Sequence, residues 1–298
     1  NQLLFETLKN NQMIVDENIE ETDIARMAFL NRYTNSKTLR LLIYVTDDCN
    51  FNCVYCPQKH VSTYMTEDTI DKVVSSVSGL LSRHRFEGIT ISWFGGEPLL
   101  NMSIIERGMQ AFEKIARQFN LIIHSGITTN GYLLSDRTVS KLLKHGVNEY
   151  QITLDGDKLT HDKNRHLKNG GPTWEKIWNN LLLMKARSNE FLVNIRVNSN
   201  MDNIEFLPQF IEQVQSTFDK RFIIRIQPII KMGMSTDKYE LSSEVKYCSL
   251  LESQLIQLSM YSYMRSLKCE DLTIENVMKP FGLMCSCSDP NYFVIKTD

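Results

Sequence analysis

Cys49, Cys53 and Cys56 stand at C-x-x-x-C-x-x-C within the stretch LRLLIYVTDDCNFNCVYCP, residues 39–57. Three thiolates so close together bind a soft metal, and what is missing narrows which one. Structural zinc needs a fourth ligand, usually from a second C-x-x-C or H-x-x-x-H pair nearby, and the sequence has no such pair close by. A cubane [4Fe-4S] cluster uses four cysteines when it only transfers electrons. Held by three, it keeps one iron open for a further ligand. A zinc loop and a set of buried free thiols, which pack as small hydrophobes, are the competing readings.

This spacing resembles the signature of the radical S-adenosylmethionine (SAM) superfamily. The resemblance implies that the open iron chelates the amino and carboxylate groups of SAM, and that Tyr55, just before the last cysteine, packs near the adenine. Gly95-Gly96-Glu97-Pro98 is similar to the family's G-G-E-P motif. Its glycines let backbone approach a small ligand, and a carboxylate can receive a charge-assisted hydrogen bond from an ammonium group. By position Glu97 inherits the SAM amino group. Thr153-Leu154-Asp155-Gly156 resembles the S-L-D-G strand end of sulfatase-maturing and peptide-modifying members. Thr in place of Ser keeps a hydroxyl for a ribose or carboxylate contact. His161-Asp162-Lys163-Asn164-Arg165 matches the H-D-x-x-R of the same members. Arg165 is accordingly a candidate partner of the SAM carboxylate, with a surface arginine as the other reading.

Those residues need elements to bring them together. Residues 41–45 are an apolar run ended by Thr46-Asp47-Asp48, which reads as a buried parallel strand feeding the cysteine loop. Thr66 and Ser135 are positioned to cap helices, and Ile70, Val73, Val74 and Val77 repeat at helical spacing. Further strands are expected at 88–94, 121–129, 150–154, 191–197 and 222–228. Helices are expected at 101–119, 173–187, from Pro208 to about 218, and at 242–261. Alternating strand and helix implies a parallel sheet with right-handed crossovers. Six units are too few for the closed eight-stranded barrel, and no G-x-G-x-x-G follows the first strand. The fold class is α/β; the resemblance supplies the open (β/α)6 partial TIM barrel of the radical SAM type. The polar strand ends then share one rim: the cysteine loop, Gly95 to Pro98, Asn130-Gly131, Thr153 to Gly156, and Arg196-Val197-Asn198. Along the fifth strand, alternation puts Asn194, Arg196 and Asn198 on one face. Arg196 either faces the barrel mouth, meeting SAM or substrate, or pairs with a structural carboxylate.

The chain has 298 residues and a net charge of −2, which gives a polyanion such as nucleic acid, or an anionic membrane, no reason to bind. No apolar run approaches the ~18 residues a membrane span needs. Seven cysteines, an odd number, without a basic-then-apolar leader, argue for a reducing compartment, and the cytoplasm is expected. The first residue is Asn. Residues 1–38 form an acidic lead-in, either an arm packed outside the barrel or the tail of the peptide-recognition domain that precedes comparable enzymes. The barrel is expected over 39–262. Cys248 and Cys269 read as packed thiols, and Trp174 and Trp178 as a helix's core face.

Over 263–298, Cys285 and Cys287 precede a strand, which resembles the incomplete start of a SPASM domain carrying auxiliary [4Fe-4S] clusters. Together these likenesses imply cleavage of SAM to a 5'-deoxyadenosyl radical that abstracts hydrogen from substrate. The substrate would be a precursor peptide with a leader region, converted by thioether or other crosslink formation, with a flavodoxin or ferredoxin as electron donor. An anaerobic sulfatase-maturing enzyme is the alternative. A non-catalytic iron-sulfur or zinc protein would keep the cysteines but has no use for Glu97.

Overall fold

The computed structural model describes residues 37–230, 245–267 and 291–297, with eight isolated positions between 5 and 27. The lead-in, apart from those positions, and Cys269, Cys285 and Cys287 lie outside the described residues. In chain order the elements are β1 (Thr38–Tyr44), α1 (Glu67–Leu81), β2 (Gly88–Phe94), α2 (Met102–Phe119), β3 (Ile122–Thr129), α3 (Asp136–Lys144) and β4 (Val147–Thr153). They continue as α4 (Lys158–Asn164), α5 (Trp174–Lys185), β5 (Leu192–Ser199), α6 (Leu207–Thr217), β6 (Phe222–Pro228), α7 (Leu250–Ser266) and β7 (Tyr292–Ile295).

Side-chain caps explain where several of these helices begin. Thr66 and Ser135 accept from the backbone N–H of Thr69 and Thr138, as expected, each satisfying a donor the first turn leaves over. α4 was not expected. It is one short helix, and Asp157 starts it by accepting from Leu159 and Thr160. The helix expected at 242–261 begins later, at Leu250.

All strands are parallel, in the order β6-β5-β4-β3-β2-β1-β7. The six expected strands are present and a seventh joins them. Residues 292–295, read as the strand that follows the tail thiols, pair with β1 from Arg40↔Tyr292 to Ile43↔Ile295. Thr297 then donates to Asp47 Oδ2 at 2.8 Å, and Lys296 Nζ lies 3.6 Å from the centroid of the Tyr44 ring. The described end of the chain therefore belongs to the barrel sheet and emerges at the rim of the cysteine loop.

Period-two alternation divides the sheet. Leu39, Leu41, Ile43, Ile89, Ile91, Trp93, Tyr150, Ile152, Val193, Ile195 and Val197 are buried with the apolar faces of the helices in one cluster. This core holds most of the stability, at about 25 cal/mol per Å² of apolar surface removed from water. Trp93 is fully buried and donates Nε1–H to Ser125 Oγ at 3.1 Å. Trp93→Phe removes that donor and leaves a void, so we expect a loss of about 1–3 kcal/mol, read as a lower urea midpoint at unchanged slope. The opposite face of the sheet carries Ser92, Thr128, Gln151, Asn194, Arg196, Arg225 and Gln227, none of them in the buried class.

Candidate cluster and cofactor site

The cysteine loop leaves β1 and is fastened on three sides. Thr46 Oγ1 donates to Thr63 O and accepts from Asp48 N. Asp48 accepts from Lys168 Nζ, Tyr64 Oη and Cys49 N, which together hold its carboxyl down at about 2. Further along, Asn52 N and Val54 N donate to His166 O and Asn164 O, and Lys168 N donates to Asn50 O. The segment after α4 thus forms a backing for the loop.

The second side is the glycine turn. Gly95 has φ +143, and a Cβ there would lie 2.2 Å from Thr46 O; one on Gly96 would lie 2.2 Å from Asp48 O. Neither position admits a side chain, because Gly96 N and Glu97 N donate to those same two carbonyls. The glycines therefore bring the turn against the cysteine loop.

Glu97 is fully buried. Oε1 accepts from Thr129 Oγ1 at 2.7 Å and Leu99 N at 3.0 Å, and Oε2 accepts from Asn130 N at 2.7 Å. Burial pushes its carboxyl up against the pull of these donors. Glu97 thereby ties the ends of β2 and β3 together, a role its motif does not announce. Asn130 carries the tie onward, donating Nδ2–H to Asn50 Oδ1 at 2.7 Å.

The third side is a buried polar knot. Tyr55 Oη donates to Asp155 Oδ2 and accepts from Arg165 Nη1 and Asn198 Nδ2, each at 3.0 Å. Asp155 Oδ1 also accepts from Asn198 N at 2.9 Å and Asn198 Nδ2 at 3.2 Å. Burial raises the Asp155 carboxyl, with Arg165 opposing, and raises the Tyr55 hydroxyl well above its usual range. Residues expected at three separate strand ends are brought into one cluster. Thr153 is on the same wall, paired in register with Arg196.

His161, the first residue of H-D-x-x-R, explains the shape of that knot. It is fully buried, and burial drives its pKa well below the ordinary value, so it is neutral. Nδ1 accepts from Asp155 N at 3.1 Å, so the proton sits on Nε2, which donates to Thr173 Oγ1. Thr173 Oγ1 in turn donates to Arg165 O. Asp162 accepts from Thr173 N and Trp174 N. His161 and Asp162 position Arg165 through Thr173, a role the H-D-x-x-R pattern does not announce.

Arg165 is 7% exposed, lies 5.7 Å over the Phe51 ring, and keeps a buried Nε with no partner. Burial opposes its charge, but Cys53, Tyr55 and Asp155 outweigh burial. A buried cationic fork with an open donor fits a carboxylate. The surface-arginine reading is excluded by its burial.

Cys49 is buried and its thiol is pushed up to about 12 by burial. Cys53 is also raised by burial, against Arg165. For Cys56 burial, which raises the thiol, is outweighed only by the combined pull of the hydrogen bond with His60 Nε2 at 3.4 Å, the Gln58 backbone and the charges of His60 and Arg165, so its pKa is lowered. Among the described residues no three His, Cys, Asp or Glu side chains converge on one ion position. Cys49, Cys53 and Cys56 are free thiols on one loop, and a cubane takes each of three thiolates on a different iron, so this donor set is one such a cluster can use.

The model of the Radical SAM superfamily matches residues 43–214, more than half of the chain. The radical SAM cyclopropyl synthase TigE of Paramaledivibacter caminithermalis is 25% identical over 180 residues, 55% of this chain and 37% of that protein. A cysteine-type anaerobic sulfatase-maturating enzyme of Clostridium perfringens is 29% identical over 172 residues, 54% of this chain and 45% of that one. The chain thus spans less than half the length of these curated relatives. The solved structure of native anSMEcpe with bound AdoMet and Cp18Cys peptide superposes with a TM-score of 0.65 over 88% of this chain and 72% of that chain, at 19% identity.

Proposed function

Because the chain belongs to the radical SAM superfamily, whose members use a [4Fe-4S] cluster and SAM, we propose that it is a peptide-modifying member, a maturase that forms a thioether or other crosslink. Cys49, Cys53 and Cys56 would hold the cluster. Bound there, the cluster would supply the electron for reductive cleavage of SAM, the chemistry that leads to hydrogen abstraction from substrate.

The chain's own residues orient and shield. Arg165, aimed by His161 and Thr173, receives the SAM carboxylate on its open donor, with the Thr153 hydroxyl alongside. Glu97 would take the ammonium group beside its three internal donors. Tyr55 faces the adenine while its hydroxyl stays tied to Asp155, and Asn198 closes that wall. Gly95 and Gly96 hold the turn against the cluster loop, and Pro98 starts the helical turn that follows. Cys285 and Cys287 would ligate an auxiliary cluster, and a flavodoxin or ferredoxin in the cytoplasm would supply electrons.

What carries the peptide reading is the polar sheet face that the described residues leave unburied. A parallel sheet with both faces covered is apolar on both, whereas here Ser92, Thr128, Gln151, Asn194 and Gln227 line one face. Such a wall offers the donors and acceptors that a chain of amides needs. The likeness to TigE and to the sulfatase-maturating enzyme supports it; the latter keeps oxidation of a Cys or Ser in a protein precursor as the second reading.

The test incubates reduced, cluster-loaded full-length protein and SAM with precursor peptides encoded beside its gene. Crosslinking removes two hydrogens from the peptide for each new bond, read by mass spectrometry. An aldehyde that captures hydrazine supports the second reading. SAM consumption with every peptide unchanged would contradict both.

A further inference from the structure

Asn130 has a side chain whose orientation is forced. Its Oδ1 accepts from Tyr132 N at 3.0 Å, and because a backbone N–H can only donate, the NH2 must point the other way. One of the two amide hydrogens goes to Asn50 Oδ1 at 2.7 Å. That leaves the second for Cys49 Sγ, which lies 4.0 Å from Nδ2, a contact lengthened by the large radius of sulfur. The same sulfur accepts from Phe51 N at 3.4 Å.

The turn that carries this amide is clamped. Asn130 N donates to Glu97 Oε2 at 2.7 Å. Asn180, reaching from α5, donates Nδ2–H to Gly131 O at 2.8 Å and Tyr132 O at 3.0 Å. Gly131 has φ +82, and a Cβ there would lie 2.8 Å from Ile152 Cγ2, so the backbone admits no larger residue at that point. The Tyr132 ring meets Phe51 edge-on at 5.8 Å. Cys49 and Asn130 are both buried, so an N–H dipole between them acts where water screens it little.

Reduction of an iron-sulfur cluster by an external donor adds one electron and breaks no bond. The added negative charge spreads partly onto the ligand sulfurs, so an N–H aimed at one of them stabilises the reduced form more than the oxidised form. Hydrogen bonds to the sulfurs are accordingly among the factors that set the potential of such clusters. We propose that Asn130 is a positioning residue that raises the reduction potential of the cluster through its N–H on Cys49. The inference rests on the three-thiolate reading given above.

The test uses full-length protein loaded anaerobically with its cluster and kept free of SAM, so that no contact of Glu97 with the cofactor enters. The signal followed is that of the cluster whose EPR spectrum changes when SAM is added afterwards, which separates it from any auxiliary cluster. Asn130→Leu, close in shape and without a donor, should lower the ratio of reduced to oxidised cluster at a fixed potential by about tenfold, a shift of about 59 mV to more negative values. Asn130→Asp, which keeps an acceptor for Tyr132 N and puts an oxygen where the donor stood, should lower it at least as far. Asn50→Ala removes the partner of the other amide hydrogen and should leave the potential near that of the parent. A second measurement needs no change at Asn130. Protein carrying 15N only at asparagine side-chain amides should show a weak 15N coupling in pulsed EPR of the reduced cluster, and the coupling should persist in Asn50→Ala. An unmoved potential in both Asn130 variants, an equal shift in Asn50→Ala, or no 15N coupling in the labelled protein would overturn the inference while leaving the cluster in place. Protein that loads no SAM-responsive cluster would remove the cluster reading and this inference with it.

Discussion

Replacing Cys49, Cys53 and Cys56 together by alanine eliminates the SAM-cleaving cluster, and formation of 5'-deoxyadenosine falls to the level seen without protein. The loss is expected to be complete because each thiolate would anchor a separate iron of the cubane. The fold survives, since alanine keeps the backbone of a loop that Asp48, Asn50, Asn52 and Val54 fasten through bonds the thiols do not make. Iron and absorbance contributed by Cys285 and Cys287, if they ligate a second cluster, remain. Circular dichroism and melting temperature close to those of the parent, with no SAM cleavage, is the expected combination. A triple variant that still yields 5'-deoxyadenosine would show that the site lies elsewhere.

Glu97→Gln has the next largest effect, and it acts twice. A carboxylate accepts from Thr129, Leu99 and Asn130 together, and glutamine has one acceptor oxygen. Its NH2 must then face at least one of these donors, leaving a buried N–H unsatisfied at about 1–3 kcal/mol. Relief of the buried charge, which burial disfavours, offsets part of that loss. The turn also bonds to Asp48 O through Glu97 N, so the distortion reaches the cluster loop. SAM affinity falls as well, by roughly ten- to a hundredfold for a lost charge-assisted bond. Urea unfolding and SAM titration read the two effects separately. Unchanged stability would show that the three internal bonds are not the tie described, and unchanged SAM affinity would remove Glu97 from the cofactor's contacts.

Much of this architecture is legible in the sequence because its signals are local. Thr66 and Ser135 announce their helices by cap chemistry. The apolar runs of β1 to β6 carry their own periods, and the polar strand ends fall at one rim because a parallel sheet points every strand the same way. Sequence also brings out Tyr55, Glu97, Asp155, Arg165 and Asn198 one by one. Their assembly depends on pairings far apart in the chain. Tyr55 meets an aspartate one hundred residues later, a contact the spacing of neither segment encodes. The same holds for β7, whose four residues contain nothing that selects β1 as partner, and for Glu97, whose three donors come from two different strand ends. The positioning role of His161 is not legible in the sequence, because a neutral buried histidine becomes apparent only once Asp155 N and Thr173 are placed against it.

The central claim is that the rim of this sheet holds a three-thiolate cluster that cleaves SAM. Anaerobic reconstitution of full-length protein with iron and sulfide, followed by dithionite and SAM, tests it most directly. The account predicts a [4Fe-4S] spectrum that changes when SAM is added, and 5'-deoxyadenosine and methionine formed in equal amounts. Protein that takes up zinc in place of a cluster, or a cluster-loaded protein that leaves SAM intact under reduction, would contradict it.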